Sequence, residues 1–219
     1  MFTSYMAISN MSSTMGNKFA GYIKDLIPHL EQKGDFKWQD TNGDGVIAED
    51  DRVHIGNPTP DWSYGLTIKL DYKNIDFTVF GQGVAGNQIF QGLRRLDIPN
   101  ANYQASALGR WTGEGSTNSQ PRVTKTDPNG NFSRPSDYYL ENGDYFRIKT
   151  MQLGYTFSNE LVSKLKIQHL RLYIMGENLL TFTDYTGFDP EIGGGVFSVD
   201  RGVYPQARSF MLGASINFF

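Results

Sequence analysis

Twelve residues, Asp40-Thr41-Asn42-Gly43-Asp44-Gly45-Val46-Ile47-Ala48-Glu49-Asp50-Asp51, carry the donor spacing of a calcium loop. Calcium takes six to eight hard oxygens, and side-chain oxygens at loop positions 1, 3, 5 and 12 converge when glycine at position 6 permits a sharp bend. Asp40, Asn42, Asp44 and Asp51 occupy those positions, Gly45 the bend, and Val46 offers its carbonyl. Position 12 is Asp where such loops usually carry Glu, which weakens bidentate binding. The same residues also suit a Gly/Asp-rich turn that closes without an ion. No clear helix pattern flanks the loop, so a paired calcium sensor is not expected.

Gly81-Gln82-Gly83-Val84-Ala85-Gly86 satisfies the glycine spacing of a dinucleotide-binding turn and follows a strand pattern. That chemistry also needs an acidic residue about 20 positions on, after a second parallel strand. Asp97 comes too early, so closely packed strand glycines explain the motif better. His29, His54 and His169 fall in no zinc spacing. No nucleophile elbow is present, and Asp189-Pro190-Glu191 pairs two acids without a positioned partner. No catalytic residue is assigned and no enzyme activity is expected; no cofactor is required beyond the calcium option. Trp111, Tyr138, Tyr139 and Tyr185 are candidates to face substrate, stacking on sugar rings, with loop packing as the other reading.

These groups hang on a framework with a period of two. Tyr64, Leu66, Ile68, Leu70 and Tyr72 alternate with Ser63, Gly65, Thr67, Lys69 and Asp71. Strands are predicted near 62–72, 75–87, 145–157, 169–181 and 208–219. In the third, the apolar parity moves from Phe146 and Ile148 to Met151, Leu153, Tyr155 and Phe157, which predicts a bulge near Lys149–Thr150. In the last, Phe210, Leu212, Ala214, Ile216 and Phe218 form an apolar face that needs an apolar partner, and lipid is the leading candidate. Residues 88–143 read as a long irregular excursion and Asp184–Ala207 as another, with short links between. Alternating long and short connections are typical of membrane barrels. Residues 1–33 are assigned only weakly, with a short strand near Met1–Ile8 and a helical or irregular stretch at Tyr22–Leu30.

Composition agrees with strands rather than helices as the spanning element. Mean hydropathy is −0.43, aromatic residues make up 14%, and no apolar run reaches the roughly 20 residues of a membrane helix. A net charge of −3 with scattered basic residues argues against nucleic acid. Zero cysteines exclude disulfides and thiolate chemistry. Met1-Phe2-Thr3-Ser4-Tyr5-Met6 lacks the start of a secretory signal, so on a membrane reading an amino-terminal part is expected to be missing.

Several stretches read in order resemble one family, the SusC/RagA-like TonB-linked outer-membrane transporters. They are Gly34–Gly45, Ile55-Gly56-Asn57-Pro58, Phe80–Asn87, Glu141–Lys149, Leu153–Phe157, Gly176-Glu177-Asn178-Leu179, Gly187–Glu191 and Tyr204–Arg208. The resemblance covers roughly 34–219. It implies an all-β fold: antiparallel strands from the carboxyl-terminal part of a transmembrane barrel of about 22 strands, incomplete in this chain. It also implies outer-membrane lipid, TonB and a SusD-like surface lipoprotein as partners, and import of oligosaccharides or peptides. Lys69, Arg147, Arg171 and Glu177 would line the lumen. One departure is that the apolar face ends on Phe218, which leaves Phe219 out of register with the usual terminal aromatic. The rival from the residues alone is a secreted calcium-dependent β-sandwich that binds carbohydrate or protein, in which a second sheet would bury Leu66, Ile68, Phe77, Val79, Leu172, Ile174, Leu212 and Ile216.

Overall fold

The computed structural model describes residues 33–98, 101–192 and 197–218, and the backbone of 2–5 and 7–8. The stretch Tyr22–Leu30, His29 and Phe219 lie outside the described residues. The chain divides into two compact units, one of Met1–Pro58, Gln88–Glu141 and Gly193–Val203, the other of Thr59–Asn87, Asn142–Ile192 and Tyr204–Phe219.

The second unit, the sheet unit, is built on β5 (Trp62–Tyr72), β6 (Ile75–Ala85), β9 (Tyr145–Thr156), β10 (Ile167–Thr183) and β12 (Ser209–Phe218). They form one antiparallel sheet in the order β12-β10-β9-β6-β5, with neither edge paired among the described residues. The β5–β6 hairpin turns through Lys73 and Asn74, with Lys73 at φ 54° as a two-residue hairpin requires.

Residues directly opposite in such a sheet share a face. The register therefore stacks the apolar residues in rows: Leu70, Phe77, Leu153, Ile174 and Leu212 in one, Tyr72, Ile75, Tyr155, Leu172 and Ala214 in the next. The parity change in β9 is resolved by an extra residue. Phe80 pairs with Thr150 and Gly81 with Ile148, which leaves Lys149 as a bulge against β6. β10 answers with a bulge of its own between Glu177 and Leu180, where Asn178 adopts φ 51°. With both bulges in place, Phe146, Ile148, Leu180 and Phe182 join the same face as Leu153 and Ile174. Tyr64, Phe146 and Phe182 then stack in a row, with centroids 6.1 and 6.4 Å apart.

Nothing among the described residues covers this face. Leu66, Leu70 and Ile174 are 56–60% exposed and Leu212 is 80% exposed. The buried inter-sheet layer that a β-sandwich needs is absent there. Among the described residues no helix is long and apolar enough to cross a membrane, which has no bearing on strands.

The first unit, the loop unit, contains β1 (Phe2–Tyr5) paired with β4 (Arg52–Gly56), β2 (Ala7–Ile8) paired with β3 (Lys37–Trp38), and the short strands β7 (Gln88–Gln91) and β11 (Val199–Asp200), which run parallel. Residues 88–143, expected to be irregular, thus carry β7, the three-residue strand β8 (Leu140–Asn142) and two 3-10 turns. Their order comes from side-chain bonds to backbone rather than from a periodic pattern. Phe36 and Trp38 pack edge-on at 6.1 Å with Ile47 and Tyr138 against them. Asn131 accepts from the Phe36 N–H at 3.0 Å and donates to Asp35 at 2.8 Å, while Asn129 donates to the Phe36 carbonyl at 3.0 Å. Arg122 closes on the buried Asp35 carboxylate through two bonds of 2.6 and 2.8 Å.

Candidate functional site

The polar face of the sheet carries the groups able to meet a solute. The pairings put Lys69, Arg147, Arg171 and Glu177 on that one face. Arg171 donates from Nε to Asp76 at 2.8 Å in a two-bond ion pair across β9. Arg147 is 4% exposed and stands at the centre of a denser cluster. Its guanidinium donates to Thr181 at 2.8 Å, Glu191 at 2.7 Å and Asp189 at 2.6 Å. Lys149 and Gln82 also reach Glu191, each at 3.0 Å, and Lys149 extends to Gln206 at 2.8 Å.

The acids that looked unpartnered in Asp189-Pro190-Glu191 are therefore fully engaged. Burial raises the Asp189 pKa, but the Arg147 guanidinium and the N–H groups of Glu191 and Gln206 outweigh it and hold the carboxyl below its usual value. The arrangement straps the 189–191 segment and Gln206 to the polar face. Beside it lies a recess of about 240 Å³ bordered by Asn178, Thr181, Thr183, Phe188, Gln206 and Arg208. No spacing rule links Arg147 to Asp189, 42 positions away, so the cluster left no signal in the sequence beyond its separate members.

The glycine motif has a packing cause. A Cβ at Gly81 would collide with the Phe146 ring, and one at Gly83 with the Tyr145 carbonyl and the Tyr64 ring. The two glycines make room for the aromatic row in the middle of β6, where no helix follows.

The Asp40–Asp51 loop, in the loop unit, turns its oxygens onto its own backbone. Asp40 accepts from Gly43 N–H at 2.6 Å and Gly45 N–H at 2.7 Å, and Asp44 accepts from Val46 N–H at 2.8 Å. Asn42 accepts from Asp44 N–H at 2.8 Å. Asp51, wholly buried, takes Ala48 N–H and Thr41 N–H at 2.7 Å each. These N–H groups, Ala48 first, hold its carboxyl below the ordinary range. Among the described residues no group of three or more His, Asp or Glu side chains is placed to hold a metal ion.

The aromatic candidates lie in both units and are largely taken up by packing. Tyr139 is 6% exposed and donates to the Asn131 carbonyl at 2.7 Å, with Tyr138 edge-on at 5.1 Å. Trp111 is half-buried over Gly34. Tyr185, in the sheet unit, is 6% exposed against Gly187. His54 sits in β4 and His169 in β10, the latter with a buried Nδ1 that has no bonding partner among the described residues.

The sheet thus presents an apolar face that the described residues leave uncovered, a charged opposite face, and two edges unpaired among those residues. No protein-family model matches the chain. TonB-dependent receptor P26 of Formosa agariphila is 33% identical over 196 residues, and TonB-dependent receptor SusC of Bacteroides thetaiotaomicron is 29% identical over 180 residues. The chain belongs to the SusC/RagA-like TonB-dependent receptor family. These alignments take in 84% and 82% of the chain but only 20% and 17% of the relatives, so the chain spans about a fifth of the length of the proteins it matches. The solved structure of the RagAB peptide importer in its open-open state superposes on 99% of this chain and 22% of its own, with a TM-score of 0.72 at 20% identity. A second structure, of the RagAB peptide transporter, gives 0.71 at 21% identity. The fold of this receptor segment is accordingly all-β and antiparallel in its main sheet, without barrel closure.

Proposed function

We infer that this receptor segment supplies part of the wall and outer loops of an outer-membrane importer that draws on TonB and a SusD-like lipoprotein to take up oligosaccharides or peptides. The role is structural and conductive rather than enzymatic. The observation that carries the reading is the pair of opposed faces on one five-stranded sheet: rows of Leu, Ile, Phe and Tyr open on one side, and Arg147, Lys149, Gln82 and Arg171 on the other. An apolar band outside and a polar interior are what a transmembrane barrel wall requires. The RagAB structures are named for a peptide importer, which supports the peptide class, while the oligosaccharide class rests on the family resemblance. The Arg147 cluster would fix the 189–191 loop over the conduit, and the recess by Arg208 and Phe188 would meet solute.

The test is solvent. Purified in detergent micelles, the chain is expected to hold its β content and then aggregate when detergent is removed. A folded monomer in plain buffer would overturn the reading and return the soluble sandwich to contention.

A further inference from the structure

One end of the sheet unit combines charge and grease in a way the wall alone does not need. Between β9 and β10 the chain forms a four-residue helix, α1 (Asn159–Val162), and then a 3-10 turn, Ser163–Leu165. Val162 is 2% exposed and pins this turn to the sheet unit. Leu161 and Leu165 are left 60% and 69% exposed, with Lys164 and Lys166 exposed beside them. The β5–β6 hairpin lies at the same end, because the Thr156 N–H donates to the Asn74 carbonyl at 2.8 Å. There the Lys73 ammonium sits 5.2 Å from the centre of the Tyr72 ring, and Tyr72 belongs to the open apolar face at 70% exposure.

Three lysines thus ring this end, with Glu160 the acid within the turn and Asp71 exposed near the hairpin. Asp76 is spent on Arg171. Leucines that protrude beside lysines at the margin of an apolar belt match the interfacial layer of a bilayer, where alkyl groups enter the acyl boundary and ammonium groups meet phosphate. We propose that the 159–166 turn and the Lys73 hairpin form a rim that docks on anionic phospholipid headgroups at the short-turn end of the wall. The proposal rests on the wall reading and adds a lipid preference to it. Two observations select this occupant: the excess of basic over acidic groups at the rim, and its continuity with the apolar face through Tyr72. Each lysine held at an anionic surface contributes an attraction that falls off within a Debye length.

The chain has no cysteine, so single labels report cleanly. Leu165→Cys and Ile68→Cys, each carrying an environment-sensitive fluorophore, would be reconstituted in vesicles of phosphatidylcholine alone or mixed with phosphatidylglycerol, with bromine at defined acyl depths. The Ile68 label is expected to be quenched by deep bromine in both vesicles. The Leu165 label should be quenched by shallow bromine, more strongly with phosphatidylglycerol. Lys164→Glu combined with Lys166→Glu should weaken association with the anionic vesicles about tenfold and leave the neutral ones unchanged. A Leu165 label that stays in water while the Ile68 label is quenched would overturn the rim and leave the wall standing. So would quenching of the Leu165 label that ignores headgroup charge. If neither label is quenched, the wall reading itself fails. A label at Leu161→Cys repeats the measurement should Leu165→Cys disturb folding.

Discussion

The two units use the same side chains in opposite directions. In the loop unit Phe36 and Trp38 are 1% and 3% exposed, packed inward with their polar neighbours bonded around them. In the sheet unit Phe210 and Leu212 are 77% and 80% exposed, while the charged pair Arg147 and Asp189 is buried at 4% and 2%. On the wall reading, one unit is organised for water and the other for a medium that takes up its apolar face. The lesson is that apolar pattern by itself fixes which residues share a face, and the solvent decides whether that face turns in or out.

The largest expected effect breaks the loop unit from within. Phe36→Ala should cost about 3–5 kcal/mol, as removal of a buried ring does, in any solvent. Phe210→Ala removes a ring of the same size that protein barely touches, and in detergent its cost should be small. Denaturant titrations of both variants, read by proteolysis within 88–141 and by β content, would check this. Equal costs would abolish the contrast between the units.

A second comparison sits within one strand. In a bilayer Ile68→Arg should cost about 2–4 kcal/mol, because it sets a charge at mid-belt. Thr67→Arg, one residue away on the polar face, should be tolerated. Folding yields in vesicles would report the difference, and the order should vanish if the faces were equivalent. A smaller effect is expected from Asn131→Ala, about 1–3 kcal/mol, since it strips partners from the Phe36 N–H and from Asp35. Accelerated hydrogen exchange at the Phe36 N–H would mark it.

The sheet was legible because its signal is local. Alternation in 62–72 and the broken parity around Lys149 are visible within about a dozen residues, and the second of these specifies a bulge as directly as the first specifies a strand. Beyond the short strand near Met1–Ile8, the loop unit was not legible, because its ties join distant positions. Arg122 to Asp35 spans 87 positions and Asn131 to Asp35 spans 96, and no period connects them. The same holds for Arg147 and Asp189: strand parity marks the first as lining and the second falls in a loop, and no spacing joins the two across 42 positions. Tyr139 shows the converse limit, since an aromatic in a long polar stretch reads equally as a contact surface or as a core, and only its bond to the Asn131 carbonyl separates the two.

The Asp40–Asp51 loop supplies the finest test, since its residues suit both an ion and a self-closed turn. Asp51 accepts from Ala48, Thr41 and Asn42, so its folded pKa lies below the ordinary value of about 3.9. A depressed carboxyl contributes stability that is complete above the unfolded pKa and is lost as pH falls through the folded one. Protection of the Thr41 and Ala48 amides, expressed relative to their unfolded exchange rates, should therefore be flat from pH 7 to about 5 and decline only below about 4. Asp51→Asn should lower that protection at pH 7 and remove the acid limb, because an amide presents one acceptor oxygen where the carboxylate presents two. Treatment with a calcium chelator at pH 7 should leave both amides protected, since the N–H bonds close the turn without help. Loss of protection on chelation would instead mean that the carboxylates are held apart for a cation, and the loop would join the sheet as a region whose order depends on what surrounds it.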